Sequence, residues 1–321
     1  MITFQEVHDL CVENSVSIAI VFLLLVWYIN RKYGFNLMET EPPNTDTNYC
    51  DDENCVRCNK YQVTAKDALR LLSSIEDQSI ALQIQKGIEL AAKAPNLENS
   101  QKPNVFFYGQ LLAVNIWDTE MKRKIPEDIS LLETSYDMIL EEYHNILKEG
   151  KSGLWKRNRT PEGSWDVFYL INQGVVIQEN VDLVPNTKAV IDKLALIMKG
   201  NVFGNVMFSV LKPGTKITSH YGPTNIRLRC HLGLITTPQC SLTVNDDITT
   251  WEDGRCLVFD DSFCHSVDYT TETGHAEHTM ENKHFNLCKD LLPERVVLIA
   301  DLWHPDLTLE ERQTINVCFH P

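Results

Sequence analysis

The feature that most constrains the fold of this chain is a change in the pattern of apolar and turn-forming residues near residue 151. Beyond it, short apolar runs of strand length alternate with Gly, Pro, Asn and Asp, which favour turns. One helical pattern interrupts them within residues 187–200 and is expected to end at Gly200. Many short strands around one helix predict a mainly β domain, either a sandwich or a double-stranded barrel. The strand-like runs cover residues 164–171, 205–211, 226–235, 255–260 and 295–303.

Charge and cysteine content exclude two classes of protein. The formal net charge of the 321 residues is −15, whereas a general nucleic-acid-binding protein carries a basic surface, so no nucleic-acid partner is expected. Ten cysteines are too sparse for a disulfide scaffold. The length suits one large domain with accessory segments.

A strongly apolar stretch lies near the N-terminus. Residues 10–29 read LCVENSVSIAIVFLLLVWYI, and with its flanks the run approaches the roughly 20 residues that a bilayer core requires. A cleaved signal peptide would have a basic leader, and a buried core helix would have to lie at the extreme terminus. We therefore predict a tail over residues 1–14 and a transmembrane anchor over residues 15–30.

Residues 31–60 are predicted to form a polar stalk, because they contain a Pro-Pro pair and an acidic run. Cys50, Cys55 and Cys58 lie in this segment. A zinc site would need a fourth ligand, and no fourth ligand follows at a suggestive spacing. Loop cysteines or disulfide partners are the preferred interpretation.

Residues 61–150 are predicted to be a helical segment packed beside the β domain, which is placed at residues 151–321. Apolar residues recur at helical spacing over residues 64–93 and 126–148. Pro126, followed by two acids, is typical of a first helical turn.

The run His220–Leu234 reads HYGPTNIRLRCHLGL, and its core alternates. Arg227, Arg229 and His231 share one face of the predicted strand, and leucines and a cysteine share the other. The basic face is either a solvated edge or the wall of a pocket. In a pocket, a buried guanidinium needs an anionic partner, and its bidentate fork suits a dicarboxylic acid.

Two histidines, His220 and His265, each follow a strand-like run, where the mouth of a barrel would place a ligand. Imidazole suits iron, copper or zinc. Taken singly, each is more often a surface or satisfied core histidine, because no tight H-x-x-H cluster supports a metal site. The basic strand, together with Arg295 at the start of another run, favours a combined metal and anion site.

Three blocks occur in the same order as in one known family: HYGPTNIRLRCHLGL, WEDGRCLVFDDSFCHSV and ERVVLIADLWHPDLT. Together they resemble the aspartyl/asparaginyl β-hydroxylase family of Fe(II)- and 2-oxoglutarate-dependent oxygenases, above all its short, membrane-anchored members. The likeness covers residues 150–321. It implies a double-stranded β-helix (a cupin-like jelly roll) with flanking helices.

The resemblance also implies roles for single residues. His220 and His265 match the two iron-binding histidines of the family, and they would be the catalytic metal site. Arg227 lies where the family can contact its substrate. The co-substrate 2-oxoglutarate would be held by Ser209, Arg229, His231 and Arg295, with Arg295 on its distal carboxylate.

One departure from most iron oxygenases concerns the metal ligands. These enzymes generally use two histidines and a carboxylate. Here Gly222 stands two positions after His220, where that carboxylate would be. The family resembled here shares this pattern, and water is expected to fill the position. Asp260 and Asp261, close to His265, are interpreted as turn residues that support the site.

A second departure is an insertion between His265 and Arg295. It contains His275, His278 and His284, which could bind a metal by themselves. A polar surface loop with incidental histidines is the preferred interpretation.

Asn158 begins the single N-glycosylation sequon, Asn-Arg-Thr, and is a candidate glycosylation site. The sequon agrees with the type II topology that the resemblance implies, with the catalytic domain in the lumen of the ER or Golgi. Arg31 and Lys32, directly after the apolar run, favour the opposite orientation, but that rule is weak for long domains.

The resemblance implies a dioxygenase that uses Fe(II), 2-oxoglutarate and O2 to hydroxylate a protein or peptide substrate at the β-carbon of Asp or Asn. A non-catalytic, membrane-anchored module that keeps the pocket is the alternative. A zinc hydrolase using His220, His265 and an acid is a third hypothesis. Turnover that depends on 2-oxoglutarate would separate the first from the other two.

Overall fold

The computed structural model describes residues 60–93, 100–148, 152–270 and 292–321. The membrane anchor, the stalk cysteines and the histidine-rich insertion lie outside these ranges. Within them, no helix is both long and apolar enough to span a bilayer. Membrane anchoring and the lumenal location therefore stay predictions.

Twelve strands in the described ranges form two antiparallel sheets. The large sheet has the order β1-β10-β7-β12-β5-β3-β2, with β4 beside β3, and the small sheet has the order β6-β11-β8-β9. The strands are β1 Ile116–Trp117, β2 Lys156–Asn158, β3 Trp165–Asn172, β4 Val175–Val176, β5 Val206–Leu211, β6 Lys216–His220, β7 Arg227–Ile235, β8 Cys240–Val244, β9 Asp247–Thr249, β10 Cys256–Phe259, β11 His265–Tyr269 and β12 Arg295–Trp303.

From β5 to β12, the chain winds between the two sheets. Strands β5, β7, β10 and β12 lie side by side in the large sheet, and β6, β8, β9 and β11 make up the small one. Eight antiparallel strands divided in this way form a double-stranded β-helix. The predicted mainly β fold with flanking helices is confirmed.

Seven α-helices in the described ranges flank the sheets. The two segments predicted to be helical are helical, but each is divided in two. In the first, the Asp77 carboxylate accepts the amides of Ser79 and Ile80 at 2.8 and 3.1 Å and so begins a new helix. The helices are α1 Lys60–Leu71, α2 Gln78–Lys93, α3 Pro126–Thr134, α4 Tyr136–Lys148, α5 Gln178–Val181, α6 Pro185–Lys193 and α7 Leu309–Cys318.

The central strands of the large sheet, β5, β7 and β12, are buried on both faces. The outer face of this sheet packs against helices α3, α4 and α6. Leu228 and Cys230 of β7 belong to the core formed there. The inner face packs against the small sheet, where Val297 of β12 shares a core with Leu242 of β8. The short strand β1 joins the edge of this sheet, so the segment before residue 150 is not only helical.

Helix α6 is shorter than predicted. It ends at Lys193, and Leu194 is extended, so the expected end at Gly200 is wrong. The carboxylate of Asp128 accepts the amides of Ala195 and Leu196 at 2.7 and 2.9 Å, which gives these N–H groups partners outside a helix.

Candidate metal and anion site

Antiparallel pairing brings the two predicted metal ligands together. His220 ends β6 and His265 begins β11, and the two residues face each other in the register of these strands. Their ring centroids lie 4.1 Å apart. His265 is buried, and His220 is partly exposed. Residues 45 positions apart in sequence thus form one imidazole pair.

Backbone carbonyls fix the tautomer of both rings. Nδ1 of His220 lies 2.8 Å from the carbonyl oxygen of Thr218, and Nδ1 of His265 lies 3.0 Å from that of Phe263. Since a carbonyl can only accept, each Nδ1 carries the proton and each Nε2 carries the lone pair, as a metal ligand requires. Burial lowers the pKa of His265 to about 4, although the charge of Asp261 opposes the shift.

Asp261 occupies the space beside Gly222. A Cβ atom on Gly222 would lie 2.4 Å from Oδ1 of Asp261 and 2.5 Å from its Cγ. The Gly222 amide also donates to the Asp261 carbonyl at 2.6 Å. A side chain at position 222 therefore has no room. In the described ranges, no three His, Cys, Asp or Glu side chains are grouped to hold a metal.

Two of the buried arginines are paired with two buried carboxylates. Nη2 of Arg227 lies 2.5 Å from Asp261, and Arg229 forms a bidentate pair with Asp301 at 2.9 and 3.1 Å. Burial would raise the pKa of Asp261, but the two guanidinium groups outweigh it and hold this pKa well below its usual range. We call these four residues the paired network.

The paired network bears on the roles predicted for its arginines. Arg227 is 1% exposed and also donates to the Phe203 carbonyl. The guanidinium of Arg229 already forms two hydrogen bonds to one carboxylate, that of Asp301. The interpretation of this strand face as a solvated edge is wrong, because it lies between the sheets. Contacts of Arg227 with substrate and of Arg229 with 2-oxoglutarate stay predictions.

Arg295 differs from the other two arginines. It is 2% exposed, and its Nε and Nη1 have no hydrogen-bond partner among the described residues. Its guanidinium carbon lies 4.7 Å from the centroid of the Trp251 ring. Burial lowers the pKa of Arg295, and the neighbouring Cys240 thiol opposes that shift. A buried, incompletely bonded guanidinium indicates a place for an anionic ligand.

His231 adds a second buried donor. Its Nδ1 accepts the indole N–H of Trp251 at 3.1 Å, and its Nε2 has no partner in the described part of the chain. Burial, and then the charges of Arg295 and Arg229, lower its pKa well below the usual value, so the ring is neutral. We call Arg295, His231 and Trp251 the open end of the site.

Phe259 connects the open end with the imidazole pair. Its ring centroid lies 5.1 Å from that of His231 and 5.6 Å from that of His265, with an edge-to-face arrangement in both contacts. One aromatic ring between the sheets thus contacts both a possible metal ligand and a member of the open end.

Ser209 lies on β5, next to β12, which begins with Arg295. Ser209 is 1% exposed, and its hydroxyl accepts a hydrogen bond from the indole N–H of Trp165 at 3.1 Å. A hydroxyl that accepts one bond can still donate its own proton. Ser209 also lies two residues from Leu211, which faces Arg295 in the register, so both positions share one face of β5.

The donor set fits the predicted ligands. Arg295, His231 and Ser209 offer N–H and O–H groups, which suit the carboxylates of a 2-oxo diacid. Two imidazoles suit Fe(II). Sequence reasoning did not assign roles to Trp251 or Asp301. Both lie in family-like blocks, Trp251 in the second and Asp301 in the third, but the pairing of Asp301 with Arg229 is recognisable only once β12 is aligned against β7.

Asn158 lies on β2, and its side chain is buried in the folded strand at 7% exposure. Glycosylation of Asn158 stays a prediction, and this burial opposes it.

Comparison with known proteins connects the geometry to one group. The family model described as aspartyl/asparaginyl beta-hydroxylase matches residues 133–305. Aspartate beta-hydroxylase domain-containing protein 2 of Homo sapiens is 35% identical over 99% of this chain and 86% of its own length. Aspartyl/asparaginyl beta-hydroxylase of Mus musculus is 30% identical over 62% of this chain and 24% of its own length.

A solved structure of a prolyl-4-hydroxylase from Pseudomonas putida covers 53% of this chain and 87% of its own. Its TM-score is 0.30 and its identity 12%, and so loose a superposition supports no argument about the site.

Proposed function

The chain belongs to the aspartyl/asparaginyl β-hydroxylase family, and on that premise we propose that it is an Fe(II)- and 2-oxoglutarate-dependent dioxygenase. Its substrate would be a protein side chain, hydroxylated at the β-carbon of Asp or Asn. The observation that carries the proposal is the pair of incompletely bonded, buried donors, Arg295 and His231, close to the imidazole pair: the Phe259 ring contacts both His231 and His265.

His220 and His265 would hold the iron through Nε2. Bound iron supplies the activation of O2 that is coupled to oxidative decarboxylation of 2-oxoglutarate to succinate and to hydroxylation of the substrate. The carbonyls of Thr218 and Phe263 hold the rings in the required tautomer and orientation. These hydrogen bonds set the direction of both ligands before any metal arrives.

The protein binds and orients the co-substrate. Arg295 would form charge-assisted hydrogen bonds to its distal carboxylate, and His231 and Ser209 would donate to carboxylate oxygens. The apolar core between the sheets excludes water from this end, which strengthens each of these bonds. The more exposed position of His220 indicates that substrate approaches from its side of the imidazole pair.

An assay on purified protein tests the proposal. Wild type, supplied with Fe(II), 2-oxoglutarate and Asp- or Asn-containing peptides, is expected to release succinate and consume O2. His265→Ala should abolish both, because it removes half of the protein ligands. His144→Ala is the matched control, since His144 is exposed on α4. Its activity should equal that of wild type.

Two results would contradict the proposal. Succinate release that is equal in wild type and His265→Ala would show that the imidazole pair holds no catalytic metal. Binding of 2-oxoglutarate without turnover on any peptide would instead support the non-catalytic module.

A further inference from the structure

Trp251 contacts both members of the open end that donate to the proposed ligand. It lies in the connection between β9 of the small sheet and β10 of the large sheet and is 4% exposed. Its indole N–H donates to Nδ1 of His231, and its ring face lies beneath the guanidinium of Arg295. One side chain thus touches the two members of the open end that have polar atoms without a partner among the described residues.

The hydrogen bond from Trp251 determines which nitrogen of His231 carries the proton. An indole N–H can only donate, so Nδ1 of His231 must be the unprotonated nitrogen. The proton then belongs to Nε2, the atom without a partner among the described residues. In this tautomer, His231 presents a donor to a carboxylate oxygen. In the other, Nε2 would present a lone pair, which repels a carboxylate.

The ring of Trp251 acts on Arg295 in a second way. A guanidinium over an indole face is attracted by the negative electrostatic potential of the ring, and this attraction is stronger away from water. The guanidinium carbon lies over the ring, 4.7 Å from its centroid, and Nε and Nη1 of Arg295 have no hydrogen-bond partner among the described residues, so both stay available for a ligand.

We propose that Trp251 is a positioning residue that holds His231 in the Nε2–H tautomer and Arg295 in place for the carboxylates of a 2-oxo diacid. This inference rests on the proposed function. Trp251 is not a catalytic residue in it, because it acts on the ligand through two other side chains.

A matched control for this proposal exists in the same fold. Trp117 on β1 is also buried, at 1% exposure, and its indole N–H has no partner among the described residues. It packs in the core on the outer face of the large sheet, with its ring edge-to-face with that of His304. Trp117→Phe therefore makes the same chemical change as Trp251→Phe but removes no hydrogen bond.

Two measurements on the full-length protein test the proposal. The first is calorimetric titration of 2-oxoglutarate into Fe(II)-loaded protein without oxygen. Trp251→Phe should weaken binding about tenfold, the usual effect of one lost buried hydrogen bond, and Trp117→Phe should leave it unchanged. The second is nitrogen NMR of the His231 ring, which should show Nε2–H alone in wild type and both tautomers in Trp251→Phe.

The outcomes separate this inference from the proposed function. Equal affinity for 2-oxoglutarate in both Phe variants, with a single Nε2–H tautomer in each, would overturn the role of Trp251. If wild type does not bind 2-oxoglutarate, the proposed function fails, and the NMR result alone decides on Trp251: mixed tautomers in Trp251→Phe support its hold on His231, and an unchanged tautomer overturns it.

Discussion

The paired network and the open end lie between the same two sheets, yet they treat buried charge in opposite ways. In the paired network, two arginines meet two carboxylates, Asp261 and Asp301. At the open end, Arg295 is equally buried, but two of its donor nitrogens have no partner in the described part of the chain. All three arginines were candidates for ligand binding from sequence alone.

The difference separates two arginines whose charge is compensated by carboxylates of the protein from one whose donors are incompletely paired among the described residues. Burying an unpaired charge costs several kcal/mol, so a fold keeps one only when something else compensates for it. The carboxylates of the paired network provide this compensation within the protein. At the open end, the ligand of the proposed function would provide it. Removing a carboxylate of the paired network should therefore destabilise the fold, whereas removing the charge of Arg295 should not.

The largest effect is expected from breaking the paired network. Asp301→Ala leaves Arg229 buried without its bidentate partner and removes the acceptor for the backbone amide and side chain of Asn205. The free energy of unfolding should fall by about 3–5 kcal/mol, as for other broken buried ion pairs. Denaturation with urea, followed by circular dichroism, measures this loss.

Asp166→Ala is the control for that experiment. Asp166 pairs with Arg157, whose side chain is 67% exposed, so the loss there should be no more than about 1 kcal/mol. Equal losses in the two variants would show that burial adds nothing to the paired network.

A smaller effect is expected from crowding Asp261. In Gly222→Ala, the new methyl group would lie 2.4 Å from the carboxylate and push it away from the arginines. We expect a loss of about 1–3 kcal/mol in unfolding free energy, typical of overpacking. Gly109→Ala is the control, because a Cβ there meets no atom within 4 Å. A loss in Gly222→Ala no larger than in the control would mean that Asp261 can move freely.

A pH-dependent effect concerns Asp260, the neighbour of Asp261. Burial raises its pKa to about 7, although hydrogen bonds from Ser262 and Gln101 oppose the shift. A carboxyl with a raised folded pKa stabilises the fold below its unfolded pKa, near 4, and this contribution is lost as pH rises toward 7. Relative to Asp260→Asn, wild type should lose about 1 kcal/mol per pH unit between pH 4 and 7.

Urea denaturation of both proteins across this range checks that slope. A constant difference between them at all pH values would show that Asp260 stays ionised in the fold. Above pH 7 the difference should level off, because the carboxyl is then ionised in both folded and unfolded chains.

Sequence patterns predicted the large sheet better than the small one, for a physical reason. The central strands of the large sheet are buried on both faces, so β5, β7 and β12 read as unbroken apolar or pocket-lining runs. Strands of the small sheet have one solvent-facing side, and β8 and β11 alternate buried with partly exposed residues. Those short alternations were not distinguished from loops.

The site, too, contains features that the sequence could predict and features that it could not. His220, His265 and Arg295 could be singled out by residue type and by resemblance to a family, and the structure brings the two histidines together. The pairing state of each arginine could not be predicted. It depends on Asp301 facing Arg229 across two strands that are some 70 residues apart, and strand register is not visible in sequence.

The contrast between the paired network and the open end is tested most directly by the stability of Arg295→Met with and without 2-oxoglutarate. Urea denaturation in the presence of Fe(II) and the absence of oxygen measures it. Without 2-oxoglutarate, we predict that the variant is at least as stable as wild type, because it loses an incompletely paired buried charge. At a ligand concentration near 100 times its dissociation constant, wild type should gain about 2.7 kcal/mol and the variant nothing. A variant that is destabilised as strongly as Asp301→Ala, and is stabilised by 2-oxoglutarate as much as wild type, would contradict this account.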